Sequence, residues 1–467
     1  MRTTDVLVVG AGPGGYVAAI RAAQRGKKVI CVEREKLGGV CLNVGCIPSK
    51  AMIHASSVVD RAHDAGEMGI GLGAVSVDVQ KMVAWKQKIV DRLTGGVGLL
   101  FKHHKVEHVS GEATFVTPTK VSVKSAAGVE EIEAKDVIIA TGSRPIELPA
   151  FKVDGVHVLG STEALALTAL PKKILVIGGG YIGLEIGTFL KKLGSEVVVV
   201  EATGSLLPGQ DPDLVAVVHR GLKKRKVDIH LDSLAQRYEK IDGGLGGVRV
   251  WVKTPKGEKT FDVDWILSTV GRRPNSEGLG LEKIGVKVEK GFIVVDEKRR
   301  TNVPHVYAIG DVAGQPMLAH KASREGIVAA EVIAGLPAEA DYRCVPAVIF
   351  TDPEIASVGM TEAEAKAKGY EPVVGKFPFT ANGRALSINE AEGFAKVVAD
   401  KKTDLVLGVH IVGPEASELI AEGTLAIEMA ARVEDIAATI HAHPTLPEAV
   451  MEAAEAVHGL AIHAITK

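Results

Sequence analysis

A glycine-rich turn occurs twice in this chain at a fixed spacing, and that duplication restricts the fold more than any other feature. Asp5-Val-Leu-Val-Val-Gly10-Ala-Gly12-Pro-Gly14-Gly15 is a short apolar strand running into Gly-x-Gly-x-x-Gly. Lys173-Ile-Leu-Val-Ile-Gly178-Gly-Gly180-Tyr181-Ile182-Gly183 repeats it. After the first turn, Val17 to Gln24 reads as a helix and Lys28 to Val32 as a strand ending in Glu33. After the second come a helical stretch and the strand Val197 to Val200, ending in Glu201. Gly178, Gly180, Gly183 and Glu201 each stand 168 residues beyond Gly10, Gly12, Gly15 and Glu33. Each copy is a βαβ unit for a dinucleotide. Its glycines let the backbone approach a pyrophosphate at a helix N-terminus, and its acid is placed for a ribose hydroxyl. A further pair, Asp136-Val-Ile-Ile-Ala-Thr141-Gly142-Ser143-Arg144-Pro145 and Asp264-Trp-Ile-Leu-Ser-Thr-Val-Gly271-Arg-Arg273-Pro274, closes each half. Two modules of roughly 130 residues follow, and two different dinucleotides.

Between the first module's acid and the rest of the chain lies Gly38-Gly39-Val40-Cys41-Leu42-Asn43-Val44-Gly45-Cys46-Ile47-Pro48-Ser49-Lys50. On a regular helix, residues five apart have Cα atoms roughly 8 to 9 Å apart, whereas a disulfide needs about 4.4 to 6.8 Å. Bridging Cys41 and Cys46 therefore requires a distorted turn, for which Gly45 supplies the latitude. So small a loop hardly restrains the unfolded chain, which points to a redox-active dithiol/disulfide rather than a staple. Two buried free thiols are the alternative.

The composition fits that reading. The 467 residues suggest about three domains, and 46% hydrophobic with 24% charged residues describes a folded chain. A net charge of -2, with charges scattered, excludes a basic nucleic-acid face or a polybasic membrane anchor. Four cysteines do not make a disulfide scaffold. Cys31, in a strand, reads as a core thiol, and Cys344 carries no motif. The strand at Asp5 to Val9 starts almost at Met1, and no apolar run of about 18 residues occurs, so a cytoplasmic chain or a processed organellar form is expected.

The remaining segments are placed more coarsely. Val77 to Lys105 reads as helices, and Gly111 to Val123 with Val129 to Ile132 as a small sheet. Arg300 to Val312 is a strand ending in Gly310-Asp311, where the aspartate either accepts a cofactor hydroxyl or caps a helix. The helical run Ala322 to Ile333 follows. From Tyr342 the texture becomes α+β, with strands at Ala347 to Phe350, Gly375 to Phe379 and Ala395 to Val398 and helices at Ser417 to Met429 and Ala449 to Ala461. In His441-Ala-His443-Pro444-Thr-Leu-Pro447-Glu448, His443 is the candidate base and Glu448 its orienting carboxylate. Glu448 also suits the first turn of a helix, and His441 reads as structural.

With these residues in order along nearly its whole length, the chain resembles the flavin-dependent pyridine nucleotide-disulfide oxidoreductases, specifically the dihydrolipoyl dehydrogenases. The segments that carry the resemblance are Gly10 to Gly15, Cys41 to Lys50, Ala140 to Arg144, Gly178 to Glu185, Glu201, Gly310-Asp311, Thr351 to Gly359 and His441 to Glu448. The resemblance implies an α/β fold of two Rossmann-like dinucleotide-binding domains, for FAD and NAD, plus a C-terminal α+β dimerisation domain. The boundaries would be 1–144 and 272–342 for the FAD domain, 145–271 for the NAD domain and 343–467 for the interface domain. It implies FAD contacts at Gly10, Gly12, Gly14, Gly15, Glu33, Gly39, Val40, Cys41, Lys50, Ala113, Thr141, Gly142, Ser143, Arg144, Gly310, Asp311, Met317, Leu318, Ala319 and His320. Helix amides after Gln315 would stabilise negative charge on the flavin.

NAD would touch Gly178, Gly180, Tyr181, Ile182, Gly183, Glu185, Glu201 and Gly271. A carboxylate at Glu201 suits a free 2′-hydroxyl and repels a 2′-phosphate, and Ala202-Thr203 offer no cation for NADP. No metal is implied. The implied catalytic set is Cys41, Cys46, His443 and Glu448, assembled in a homodimer that serves lipoyl domains of 2-oxo acid dehydrogenase or glycine cleavage complexes. Val40 departs from the pattern, which carries Thr there, and removes one hydroxyl near the flavin or disulfide. A glutathione-reductase-like chain is disfavoured by Glu201, and a mercuric-reductase-like one by the absence of a C-terminal cysteine pair. A flavin-binding scaffold without turnover is disfavoured by the intact Cys41, Cys46, His443 and Glu448.

Overall fold

The computed structural model describes residues 2–241 and 246–465. They form two compact units, each discontinuous in sequence. The first is Met1–Gly155 with Leu159–Leu170 and Thr269–Asp341, and the second is Val156–Val158 with Pro171–Ser268 and Tyr342–Lys467.

In the first unit, the apolar runs that suggested strands are the buried centre of a parallel sheet, covered on both faces as such continuous runs require. Arg2–Val9 lies between Val29–Glu33 and the long strand Gly128–Ile139, parallel to both, and Glu107–Ser110 extends the sheet beyond Val29–Glu33. The segment read as a separate small sheet is part of the same layer. Gly128–Ile139 pairs antiparallel with Lys120–Ser125 along its first half and parallel with Val306–Ala308 at its end. One face of the sheet packs Val6, Val8, Cys31 and Ile138 against Ala18, Ala19 and Ala22 of the helix Pro13–Gln24 and Ala329 and Ala330 of the helix Ala319–Ile333. The small residues of the first of these helices let it lie close to its neighbours. The expected helical stretch before the sheet is one helix, Val79–His104, capped by Asp78, whose side chain accepts from the Lys81 amide.

The second unit contains the repeat. Asp228–His230, Glu196–Val200, Lys173–Ile177 and Trp265–Ser268 lie side by side and parallel in that order. Leu234–Lys240, Val248–Thr254 and Gly257–Val263 form an antiparallel meander. The C-terminal portion is an antiparallel sheet in the order Ala347–Ile349, Glu354–Gly359, Val406–Gly413, Phe394–Asp400 and Pro372–Pro378. Its core joins Phe377, Phe379, Val409 and Ile411 to Leu419 and Ile420 of the helix Ala416–Glu428 and Val450 of the helix Glu448–Val457. Two of these strands, Glu354–Gly359 and Val406–Gly413, were not anticipated. The second is buried at every residue, His410 included, without the alternation that marks a half-exposed strand.

Candidate active site

The first glycine turn has the geometry its composition foreshadows. Gly10 has φ +103°, and a Cβ on it or on Gly15 would collide with the backbone, at Ala140 in one case and Gly10 in the other. The helix that follows starts at Pro13 with Gly12 as its N-cap; no side chain caps it and no acid stands in its first turn. Its leading amides and positive dipole end suit an anion. Glu33 is buried and braces this turn: Oε2 accepts from the Ala11 amide at 2.7 Å and Oε1 from the Glu35 amide at 2.9 Å.

The cysteine segment is laid directly on the turn. The Gly38 amide donates to the Ala11 carbonyl at 2.9 Å. Gly39, at φ +56°, lies so close that a Cβ there would stand 2.6 Å from the Gly12 Cα. Cys41 belongs to the short helix Gly39–Asn43 and Cys46 opens the helix Cys46–Asp64. The distorted turn demanded by the five-residue spacing falls at Val44 (φ -140°, ψ 11°) and Gly45 (φ -129°, ψ -109°). It brings the two side chains together: both cysteines are free thiols, hydrogen-bonded to each other. That hydrogen bond, and then burial, push the Cys41 thiol well above its ordinary value, while the nearby Lys50 ammonium pulls the other way. Cys41 is half-buried and Cys46 exposed. Val40 is 42% exposed, its backbone carbonyl accepting from the Val44 amide.

A second strip meets the same end of the sheet. Thr141 and Gly142 are zipped to Asn275: Thr141 Oγ1 donates to the Asn275 carbonyl at 2.8 Å, Asn275 Nδ2 to the Thr141 carbonyl at 2.9 Å, and the Asn275 amide to Gly142. Ser143–Pro145 pairs antiparallel with Arg272–Pro274, so the closing segments of the two repeats form one ribbon. Ser143 Oγ donates to Asp311 Oδ2 at 2.5 Å and accepts from Arg272 Nε at 2.8 Å, while Arg144 is paired with Glu277. Arg272 and Asn275 were missed by sequence reasoning; their place beside Arg273 and Pro274 in the repeated closing segment was the available signal. Ala113 is a buried strand residue, and Gly142, at φ +69°, faces open space. The helix after Asp311 begins at Ala319 with Leu318 as its uncapped N-cap, past Gln315 and three residues before the expected run from Ala322. Met317, Leu318 and Ala319 are half-buried and His320 is exposed at that end.

The second unit repeats the acid-to-amide bonds of the first turn. Gly178 has φ +102°, and Glu201 Oε2 accepts from the Gly179 amide at 2.6 Å. Glu201 Oε1 accepts from both the amide and the hydroxyl of Thr203 at 2.8 Å. Gly180 caps the helix Tyr181–Lys192, again with no side-chain cap and no acid in the first turn, and a Cβ on Gly180 would meet nothing. Tyr181 is exposed, whereas Gly183 and Glu185 are buried and Glu185 Oε1 accepts from the Phe350 amide at 3.0 Å. Ile182 lies half-buried beside them; Gly271, which belongs to the first unit, has φ +116°. Both turns thus offer the close backbone, free helix amides and braced acid that a dinucleotide diphosphate needs, and the residues present fit FAD and NAD.

In the C-terminal portion, His443 Nδ1 is 2.9 Å from Glu448 Oε1, and the other carboxylate oxygen accepts from the Thr445 amide at 2.7 Å. The His443 side chain is 79% exposed, so its ring remains reachable. Burial raises the Glu448 carboxyl, but the Thr445 amide and His443 outweigh it and hold the group below its usual range. His441 is tied at both ring nitrogens, to the Thr439 carbonyl and Glu422, as its structural assignment requires. Cys31 is fully buried, and Cys344 sits against Glu428, where burial first and the carboxylate second push it up to about 12. Among the described residues no cluster of metal-ligating side chains occurs, and no helix is long and apolar enough to cross a membrane.

Comparison with known proteins agrees with this construction. Residues 4–326 match the family model described as pyridine nucleotide-disulphide oxidoreductase, and residues 345–454 match the dimerisation domain of that family, which supports a homodimer. A dihydrolipoyl dehydrogenase of Bacillus subtilis is 53% identical over 464 residues, covering 99% of this chain and 98% of the relative. One from Geobacillus stearothermophilus is 52% identical with the same coverage, and one from Thermus scotoductus is 50% identical over 100% of both chains. Among solved structures, LpdA of Mycobacterium tuberculosis superposes with a TM-score of 0.89 at 28% identity, over 97% of this chain and 99% of that one. The duplicated turns, the paired thiols and the full-length similarity therefore agree, and the chain belongs to the pyridine nucleotide-disulphide oxidoreductases, among the dihydrolipoyl dehydrogenases.

Proposed function

We propose that the protein oxidises dihydrolipoamide to lipoamide and reduces NAD+ to NADH, with FAD bound at the first glycine turn and NAD at the second. The observation that carries this reading is the hydrogen-bonded Cys41–Cys46 pair seated on the Gly10–Gly15 turn. FAD, held at the Gly10–Gly15 turn, would supply the two-electron redox chemistry that links the dithiol to NAD+.

The chain's own groups carry the proton and sulfur chemistry. A dithiol is a poor nucleophile until it is a thiolate, so a base must be at hand. His443, with Nδ1 held by Glu448, takes the proton of one substrate thiol at Nε2. The thiolate attacks Cys41 of the oxidised pair, the Cys41–Cys46 bond breaks, and Cys46 leaves as a thiolate. The second substrate thiol then attacks the substrate sulfur bound to Cys41; lipoamide closes and Cys41 departs, taking up a proton. A Cys41 thiol held above its ordinary value accepts that proton readily. The base is taken to come from a second copy of the chain, across the dimerisation domain.

Glu201 selects NAD over NADP, its carboxylate opposing a 2′-phosphate. The natural substrates are lipoyl domains of 2-oxo acid dehydrogenase or glycine cleavage complexes, which places the protein in the cytoplasm or an organellar matrix. The direct test mixes the purified yellow protein with free dihydrolipoamide and either NAD+ or NADP+, and records NADH or NADPH by absorbance. Turnover with NAD+ alone is expected. Bound FAD without dithiol turnover would overturn the substrate assignment, and a faster rate with an isolated lipoylated domain would identify the partner.

A further inference from the structure

The reaction proposed above leaves one buried charged cluster in the first unit without a task. Glu325, on the helix Ala319–Ile333, has no exposed surface. Its Oε2 accepts from the Gly310 amide at 2.7 Å. Its Oε1 pairs with Arg299 Nη1 at 2.9 Å and with Lys321 Nζ, one helical turn earlier, also at 2.9 Å. Lys321 is itself buried and reaches the Gly314 carbonyl at 3.4 Å, so one cluster holds both ends of the Gly310–Gly314 turn. Gly310 has φ +71°, and a Cβ on it would press on Ala322 of the same helix at 3.0 Å. Asp311 comes next, and its Oδ2 is already engaged by Ser143 Oγ.

Stability alone does not explain such a cluster, since buried ion pairs replaced by apolar residues of similar volume are often as stable or more so. What apolar packing could not supply is an acceptor for the Gly310 amide. We propose that Glu325, its carboxylate held by Arg299 and Lys321, is a positioning residue for FAD: it sets the Gly310 turn so that Asp311 presents its remaining oxygen to the cofactor. Glu325 acts through Gly310 and Asp311 rather than by touching FAD.

The inference rests on FAD occupying the first unit, so its readouts are FAD affinity and flavin spectra rather than dithiol turnover. Two charge-free variants separate the hydrogen bond from the charges. Both carry Arg299→Met and Lys321→Met; one adds Glu325→Leu and the other Glu325→Gln, whose carbonyl can still accept from Gly310. Far-UV circular dichroism should be like wild type for both. The Leu variant should bind FAD about tenfold more weakly or worse, on the scale of one lost hydrogen bond to a charged group. Its visible absorption and flavin circular dichroism bands should also change, and the Gln variant should restore most of both properties. Lys321→Met alone, which keeps the Glu325–Gly310 bond, serves if a triple variant does not fold; it should hold FAD nearly as wild type does. A Leu variant with wild-type FAD affinity and spectrum, Leu and Gln variants equally impaired, or a Lys321→Met protein that sheds FAD would each overturn the proposal. Wild-type protein without FAD would instead defeat the cofactor assignment on which it rests.

Discussion

His443 and Glu448 bear most directly on the chemistry of single side chains. His443→Gln should lower turnover with dihydrolipoamide about 10²- to 10⁴-fold, the usual contribution of a positioned base, while bound FAD and its absorption spectrum stay as in wild type. Steady-state NADH formation and a visible spectrum check both halves of that statement. The Glu448 carboxyl is held lower in the folded chain than its ordinary value of 4.5. Because the native state then binds fewer protons than the unfolded one, the stabilisation is complete above that value and disappears as pH falls through the lower, folded one. The urea midpoints of wild type and Glu448→Gln should therefore differ at neutral pH and converge on acidification. These two residues were legible in the sequence because Pro444 and Pro447, lying between them, stiffen the segment that joins them. Arg272, Ser143 and Asp311 were harder to join: what unites them is the antiparallel pairing of Ser143–Pro145 with Arg272–Pro274, and no local pattern announces the partner of a three-residue strand.

Whole elements were read unevenly, for a physical reason. The helix Pro13–Gln24 and strand Val29–Glu33 carry a turn that only glycine can make and an acid at its end, so both copies stood out. Val406–Gly413, apolar but for His410 and buried at every residue, lacks a strand's alternation and is a strand only because its neighbours are. The packing of the cysteine helix on the glycine turn was also invisible beforehand, since it depends on Gly39 meeting Gly12 backbone to backbone. Gly39→Ala should push these elements apart, at a cost of about 1–3 kcal/mol for a strained backbone position, and should weaken FAD retention severalfold, as gel filtration followed by absorbance at the flavin bands would record. In the second unit, Glu201→Ala removes the acceptor for the Gly179 and Thr203 amides as well as the charge opposing a phosphate. The variant should lose about tenfold or more in kcat/KM for NAD+ while its discrimination against NADP+ shrinks, a change that paired kinetics with the two nucleotides would expose.

At the scale of the whole molecule, the question is which copy of the chain supplies the base. Cys46→Ser and His443→Gln proteins should each be inactive as homodimers. If the base acts in trans, hybrids of the two contain one intact site, and a statistical mixture should regain about a quarter of wild-type activity, as expected for a two-fold dimer. A site closed within one chain would leave every hybrid dead. One topological feature reaches beyond catalysis. Gly128–Ile139 takes its final parallel neighbour, Val306–Ala308, from far downstream, with all of Pro171–Ser268 belonging to the other unit in between. On the ribosome, at about 5–20 residues per second, the edge of that strand therefore waits roughly ten to thirty seconds for its partner. For that interval the emerging chain offers open backbone amides and carbonyls to any other nascent segment. Chaperone demand and the risk of cross-chain pairing should accordingly peak while the second nucleotide module is still being made.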